Sequence, residues 1–187
     1  MNTRLLSLAL VAASCAPLAA QAQQALVPAQ SEVAFVSRQM GVPVEGKFKT
    51  FSAQVAFDPA KLATSKIAFT VDTGSASISR EADAELPKAS WFNVAAFPKA
   101  TFTSSGIKRL DATKYEVAGK LSIKGASSDV VVPVTLTQSG ATTIASGVFP
   151  IKRLTFRIGE KEWADTSMVA DEVQVKFKIA LTGVPKL

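Results

Sequence analysis

The chain has 187 residues, a formal net charge of +6, no histidine and a single cysteine, Cys15. It therefore lacks the side chains most often used for proton transfer near neutral pH, for thiol nucleophiles and for soft-metal ligation. Its lysines and arginines are scattered singly and form no patch with interleaved aromatic residues, which argues against nucleic-acid binding.

Residues 1–22 have the pattern of a cleaved secretory signal peptide. Arg4 precedes an apolar run over 5–13, and a stretch of small residues ends in an Ala-Gln-Ala step that suits a signal peptidase. The apolar run is shorter than the roughly 20 residues that span a bilayer. We therefore expect export to the periplasm and a single mature domain over 23–187.

The mature segment is dominated by patterns typical of half-buried β-strands. Over 173–181, valine, phenylalanine, isoleucine and leucine at odd positions alternate with glutamine, lysine and alanine at even positions. This period gives a strand one apolar and one polar face, and 115–123 repeats it. Turn signals such as Ser139-Gly140 separate the strands. The other predicted strands lie at 32–37, 43–57 with a bend at 50–52, 66–72, 100–108, 129–138 and 142–156, which makes about eight in all.

Two segments break this rhythm. Ser79 has the side chain of a helix N-cap, acidic residues follow it, and Pro87 ends the pattern, so 79–86 predicts one or two turns of helix. The segment 159–170 carries Trp163 and predicts a loop with a helical turn.

Long antiparallel strands must either close on themselves or protect their edges, because open edges pair with other chains. An eight-stranded closed barrel has an interior just wide enough for side chains or one small ligand. A β-sandwich shows the same alternation of apolar and polar residues. Periodicity alone therefore leaves the barrel and the sandwich open.

A series of short motifs runs in a fixed order along the mature chain. It comprises Ser31-x-Val33-x-Phe35, Met40-Gly41-Val42-x-Val44-x-Gly46-x-Phe48, Phe57-Asp58-Pro59, Phe97-Pro98-x-Ala100-x-Phe102, Tyr115-x-Val117-x-Gly119-x-Leu121 and Asp171-x-Val173-x-Val175-x-Phe177. In order and spacing the series resembles the YceI family of exported, lipocalin-like polyisoprenoid-binding proteins, over nearly all of the mature chain. One departure is Gln39, where many members of that family have a histidine.

The resemblance implies an all-β fold, an eight-stranded antiparallel lipocalin-like barrel with one or two short helices, whose lumen takes the tail of an isoprenoid lipid or quinone. Each buried methylene contributes about 0.8 kcal/mol, so some tens of carbons give a gross term on the order of 25 kcal/mol. Non-covalent binding saturates near roughly 18 to 21 kcal/mol, so tail ordering must offset a large part. Tail length should therefore dominate affinity, and head-group contacts should decide which lipid is preferred.

The expected ligand contacts are inward-facing strand residues and aromatic residues of the irregular segments. An ordinary packed-core role competes with ligand contact at each strand position, because any barrel fills much of its interior with side chains. Arg38, Arg153 and Arg157 are candidates for a head group, in competition with a solvated role. The predicted ligand-binding residues are Phe35, Phe48, Phe57, Phe69, Trp91, Phe92, Phe102, Val117, Leu121, Phe149, Arg153, Phe156, Trp163 and Phe177.

Two other functions compete with a lipid carrier. One is a β-sandwich interaction module with a solid core and no ligand. The other is a weak hydrolase, with Lys124 as a base for Ser122 or with Glu160 and Glu162 as a carboxylate pair. The missing imidazole and thiolate groups make us expect no catalysis, no metal and no cofactor. Transient contact with a membrane surface and the oligomeric state stay open.

Overall fold

The computed structural model describes residues 24–187 and shows one antiparallel β-sheet of eleven strands. The predicted signal peptide over 1–22, with Cys15, lies outside the described residues. The strands are β1 Ala25–Leu26, β2 Glu32–Gln39, β3 Val42–Phe48, β4 Phe51–Ala56, β5 Lys66–Asp72, β6 Ala76–Ser77, β7 Lys99–Arg109, β8 Lys114–Ile123, β9 Ala126–Ser139, β10 Thr142–Lys152 and β11 Glu172–Thr182.

The sheet follows the order β4-β5-β7-β8-β9-β10-β11-β2-β3-β6, and β1 pairs with the end of β11. The predicted all-β antiparallel fold is confirmed, and a single curled sheet replaces the two facing sheets of the sandwich alternative. Nine of the strands are six residues or longer, one more than predicted. The difference arises because the segment 43–57 divides between Phe48 and Phe51 into β3 and β4, at the predicted bend.

The curled sheet is open along a seam between β3 and β4, where no ladder joins these two strands in the described part of the chain. At one end of the seam, the Gln24 side chain donates to the Phe57 carbonyl at 2.6 Å and accepts from the Phe57 N–H at 2.9 Å. At the other end, β6 pairs with β3, and Ser75 Oγ accepts from the Thr50 N–H. The predicted closed barrel is therefore a half-barrel whose two edges are bridged by short local contacts.

Two glycines set the position of phenylalanine rings on the inner wall. Phe35 pairs with Gly46 between β2 and β3, and Phe177 pairs with Gly147 between β10 and β11. A Cβ atom on either glycine would lie closer than 3.0 Å to the facing ring. Each ring therefore covers its glycine and lies against the wall, which leaves space in the centre of the lumen.

The irregular segments gather at one end of the sheet. Helix α1, Arg80–Glu85, begins at the predicted N-cap, because Ser79 Oγ accepts from the Ala82 N–H at 3.3 Å. The loop predicted over 159–170 contains a 3-10 turn at Lys161–Trp163. The strand predicted to continue to 156 ends earlier, and Arg153–Phe156 forms a 3-10 turn. Among residues 24–187, no helix combines the length and the apolar character needed to cross a membrane.

Replacing Gly46 by alanine should push the Phe35 ring off the wall. The added Cβ would come closer than 3.0 Å to this ring and to Ile78, and overpacking of this kind costs about 1–3 kcal/mol. We expect Gly46→Ala to lower the free energy of unfolding by that amount in urea titrations. Gly106→Ala is the matched control, since nothing lies within 4 Å of its added Cβ. Equal stability of the two variants would contradict the role of the ring contact.

Candidate functional site

The inner face of the sheet encloses two cavities, of about 200 Å³ and about 430 Å³, which we call the lower and the upper chamber. The volume of the upper chamber falls within the range of roughly 300–1,000 Å³ typical of small-molecule sites. The two chambers share part of their walls and are therefore neighbours along one lumen. The shared wall residues are Val33, Val71, Ala100, Leu121, Phe149 and Val175.

The lower chamber presents an entirely apolar surface, and the buried residues Tyr115, Leu136 and Val184 line the end farther from the upper chamber. Tyr115 lies there with its ring in edge contact with Phe57, at 5.5 Å between centroids. The C-terminal tail covers the same end, because Gln138 Nε2 donates to the carbonyls of Val184 and Pro185 at 3.3 Å. Such a chamber offers an apolar group burial without any polar partner.

The upper chamber has an apolar wall and a polar rim. Gln39 and Glu81 line this chamber and are exposed to solvent, so they mark the side on which the chamber opens. Glu85 also lines it and forms an ion pair with Lys88 at 2.5 Å. The lumen therefore changes from apolar in the lower chamber to polar at the rim of the upper chamber.

Asp83 holds helix α1 at this rim. Its carboxylate accepts from the Ile78 N–H at 2.6 Å and from Ser77 Oγ at 2.8 Å. The first of these hydrogen bonds, and then the second, hold the pKa of Asp83 below its ordinary value of 3.8. The ionised form of Asp83 therefore fixes α1 to β6.

Arg153 organises residues 158–170, which we call the cap because Ile158, Trp163 and Val169 of this segment line the upper chamber. It is 1% exposed, and burial lowers the pKa of its guanidinium below the ordinary value while Asp171 opposes that shift. All five of its N–H groups donate hydrogen bonds to backbone carbonyls. A lipid head group could therefore contact Arg153, as predicted, only by displacing one of these carbonyls. The acceptors are Ala170 at 3.1 Å, Ile158 at 2.8 Å, Gly159 at 2.8 Å, Trp163 at 2.8 Å and Val169 at 2.7 Å.

Two tryptophans join the loop after α1 to this cap. The rings of Trp91 and Trp163 lie 5.4 Å apart between centroids, and both line the upper chamber. The Ser90 carbonyl accepts from the N–H groups of Gly159 and Glu160 at 2.8 and 2.9 Å. The two loops therefore form one covering element.

Three of the four side chains considered for a hydrolase contact other partners. Ser122 Oγ is 2.7 Å from Ser127 Oγ, whereas Lys124 Nζ donates to Glu160 at 3.0 Å. Glu160 is thus an ion-pair partner, and Glu162 is exposed. In the described part of the chain, no group of three or more acids, histidines or cysteines is placed to hold a metal ion.

Thirteen of the fourteen predicted ligand-binding residues line a chamber, and their contact with a ligand stays a prediction. The exception is Phe156, which is 2% exposed and packs in a core cluster with Leu86 and Ile158. It lines neither chamber because strand alternation ends where the chain leaves β10. Phe57, Phe69, Phe102, Val117 and Phe177 line the lower chamber, Phe35, Phe48, Trp91, Phe92, Arg153 and Trp163 the upper, and Leu121 and Phe149 both.

Several wall residues were missed from the sequence. Val33 and Val71 line both chambers and continue the alternation of their strands, so the signal was present. Ile107 lines the lower chamber only because a bulge between Ser104 and Gly106 reverses the alternation of β7. No periodicity in the sequence marks that reversal.

The comparisons with known proteins agree on one family. The model of the YceI-like domain matches residues 25–181. A UPF0312 protein of Azotobacter vinelandii is 34% identical over 88 residues, which are 46% of this chain and 46% of that relative. The match thus spans about half the length of that curated relative.

Two solved structures share the fold. BcnA of Burkholderia cenocepacia is 48% identical, with a TM-score of 0.80 over 83% of this chain and 98% of that chain. A polyisoprenoid-binding domain of Saccharophagus degradans, implicated in plant cell wall breakdown, is 14% identical, with a TM-score of 0.69 over 86% and 98% of the two chains. The second likeness shows the fold alone.

Replacing Arg153 by lysine should loosen the cap. Lysine keeps the charge but has three N–H donors instead of five, so at least two buried carbonyls lose their partners. At about 1–3 kcal/mol for each group, we expect Arg153→Lys to lower the free energy of unfolding by roughly 2–6 kcal/mol in urea. Amide hydrogen exchange over 158–170 should accelerate. Arg157→Lys, at an exposed neighbour, should change stability by less than about 0.5 kcal/mol, and a similarly small effect of Arg153→Lys would refute this role.

Replacing Asp83 by asparagine should make stability less dependent on acid pH. Because the folded-state pKa of Asp83 is lowered, its ionised form stabilises the fold above pH 3.8, and this contribution is lost as the pH falls through the lowered pKa. Thermal unfolding should thus separate wild type from Asp83→Asn at neutral pH and bring them together in acid. Asp129→Asn, at an exposed ion pair with Lys120, should show a smaller separation at neutral pH. A gap between wild type and Asp83→Asn that is constant with pH would argue against the carboxylate contact.

Proposed function

The chain belongs to the YceI family, and we propose that it is a periplasmic carrier that holds the tail of an isoprenoid lipid or quinone in its lumen. The observation that carries this proposal is the entirely apolar lower chamber beside an upper chamber with a polar rim. The fold shared with the polyisoprenoid-binding domain of Saccharophagus degradans supports the same ligand class.

The tail occupies the lower chamber and the shared wall. That chamber presents no polar surface to a ligand, so its contribution to binding is the transfer of methylenes out of water, about 0.8 kcal/mol each. Tyr115 and Val184 line its far end, so the lipid tail enters from the side of the upper chamber. Because the lipid tail enters first, the head group stays at the rim of the upper chamber.

The head group lies in the upper chamber, where the charges favour a neutral group. Glu81 and Glu85 line this chamber on one face of α1, and the guanidinium of Arg153 is already surrounded by carbonyls. A phosphate there would meet the Glu81 carboxylate, and Arg153, the only cation among the residues that line this chamber, already donates its N–H groups to carbonyls. A quinone ring fits this environment better than a phosphorylated polyprenol.

The proposed periplasmic location rests on the signal-peptide pattern over 1–22. Residues 23–187 contain no cysteine, which is compatible with that compartment. A protein exported to an oxidising compartment without disulfides relies on packing for its stability. A carrier in that compartment would shield a long apolar tail from water between two membranes.

Narrowing the passage between the two chambers should shorten the lipid tail that the lumen accepts. Ala100 lines both chambers, so Ala100→Leu places extra methyl groups at the passage between them. We expect affinity for a quinone with a long isoprenoid tail to fall by about tenfold or more, whereas a short-tailed analogue still binds. Isothermal titration or native mass spectrometry of the reconstituted protein measures both.

The control for this variant is Ala56→Leu, at an exposed position of β4. It should bind long and short tails as the wild type does. If Ala100→Leu and wild type bind long tails equally, the ligand does not pass this wall. If protein purified from the periplasm yields no lipid on extraction with organic solvent, and none binds on reconstitution, the carrier proposal fails.

A further inference from the structure

Three large apolar side chains are exposed together beside the upper chamber. Met40 is 73% exposed, Val42 62% and Met168 48%. The Met40 N–H donates to the Met168 carbonyl at 2.9 Å, which joins the hairpin between β2 and β3 to the cap loop. We call Met40, Val42 and Met168 the apolar tip. Single exposed apolar residues are ordinary, but a group of them marks a contact surface.

The backbone conformation at the turn between β2 and β3 is unfavourable for Met40. Gln39 pairs with Val42, so Met40 and Gly41 form a two-residue turn, and both have positive φ, +48° and +82°. Such turns favour asparagine, aspartate or glycine at the first position, because other side chains are strained there. Since Met40 is largely exposed, packing within the chain does not offset this strain. An exposed, strained apolar residue points to a function outside the fold.

The apolar tip adjoins the opening of the lumen. Gln39 forms a bridge with Val169, and both residues line the upper chamber. Arg38, the residue before Gln39 on β2, is exposed and donates to the Gly41 carbonyl at 3.2 Å, which places a positive charge beside the tip. Asp165 is exposed too, and its carbonyl accepts from the Met168 N–H at 3.2 Å, so one charge of each sign lies beside the tip. An apolar group between charged residues suits the interface of a bilayer.

We propose that the apolar tip inserts into the surface of a lipid bilayer and turns the opening of the upper chamber toward the membrane. A protein partner or a second copy of the chain would need about 800 Å² of contact surface from each side, and three side chains at a hairpin provide only a fraction of that. Insertion into lipid needs no such complementary surface. The benefit of this orientation rests on the proposed carrier function, whereas the insertion itself does not.

The test is binding of the purified protein, stripped of lipid, to vesicles of phosphatidylcholine with a minor fraction of phosphatidylglycerol, measured by flotation. We expect the double variant Met40→Ser, Met168→Ser to bind about tenfold more weakly than wild type, because it buries less apolar surface. The matched control is Leu110→Ser, Val131→Ser, at exposed apolar residues outside the tip, and it should bind as wild type does. Both double variants should still take up a quinone from detergent solution, which separates this test from that of the carrier.

A second variant excludes a general loss of folding. Met40→Asn places a residue suited to positive φ in the turn, so it should raise the melting temperature by about 1–4 °C while weakening vesicle binding severalfold. The proposal is overturned if wild type does not bind vesicles, or if the control loses as much binding as the tip variant. It is also overturned if sedimentation shows a dimer that the tip variant abolishes, since a second copy would then cover the tip.

Discussion

The open lumen depends on where the aromatic rings of the inner wall lie. Protein interiors are close-packed, and inward-facing phenylalanines would normally meet in the centre and fill it. Here Phe35 covers Gly46, and Phe177 covers Gly147, so these rings thicken the wall instead of filling the lumen. The same sheet with larger residues at those glycines would force the rings inward. The cavity is therefore a product of pairing between strands, one small residue facing one large one.

The two ends of the lumen are built by different physics. At the lower end Phe57, Tyr115 and Val184 of the C-terminal tail pack in one buried apolar cluster. The upper end is covered by irregular backbone, whose carbonyls need hydrogen-bond donors once they leave water. Arg153 supplies five donors from one side chain, which no other residue type offers. This buried cation stabilises the cap, and the polar rim then lies at one end only.

Because its two ends differ in polarity, the lumen can bind an amphipathic lipid in one orientation. A tail can be buried at the apolar end while a head group stays near solvent at the rim, beside Gln39 and helix α1. The apolar tip lies next to the same rim, through the contact between Met40 and Met168. Tail burial, head-group exposure and membrane contact are thus arranged along one axis.

The sequence by itself determined which face of each regular strand is apolar, because alternation with a period of two residues depends only on neighbouring positions. The inward faces of β8 and β11 were predicted in this way, and Ser79 marked the start of α1. The tertiary structure decided what the sequence could not encode locally. The bulge that turns Ile107 inward, the end of β10 that removes Phe156 from the wall, and the carbonyls that surround Arg153 all depend on contacts between distant segments. Whether the inward faces meet or enclose space was settled in the same way, since alternation fixes the direction of a side chain but not the distance to the opposite wall.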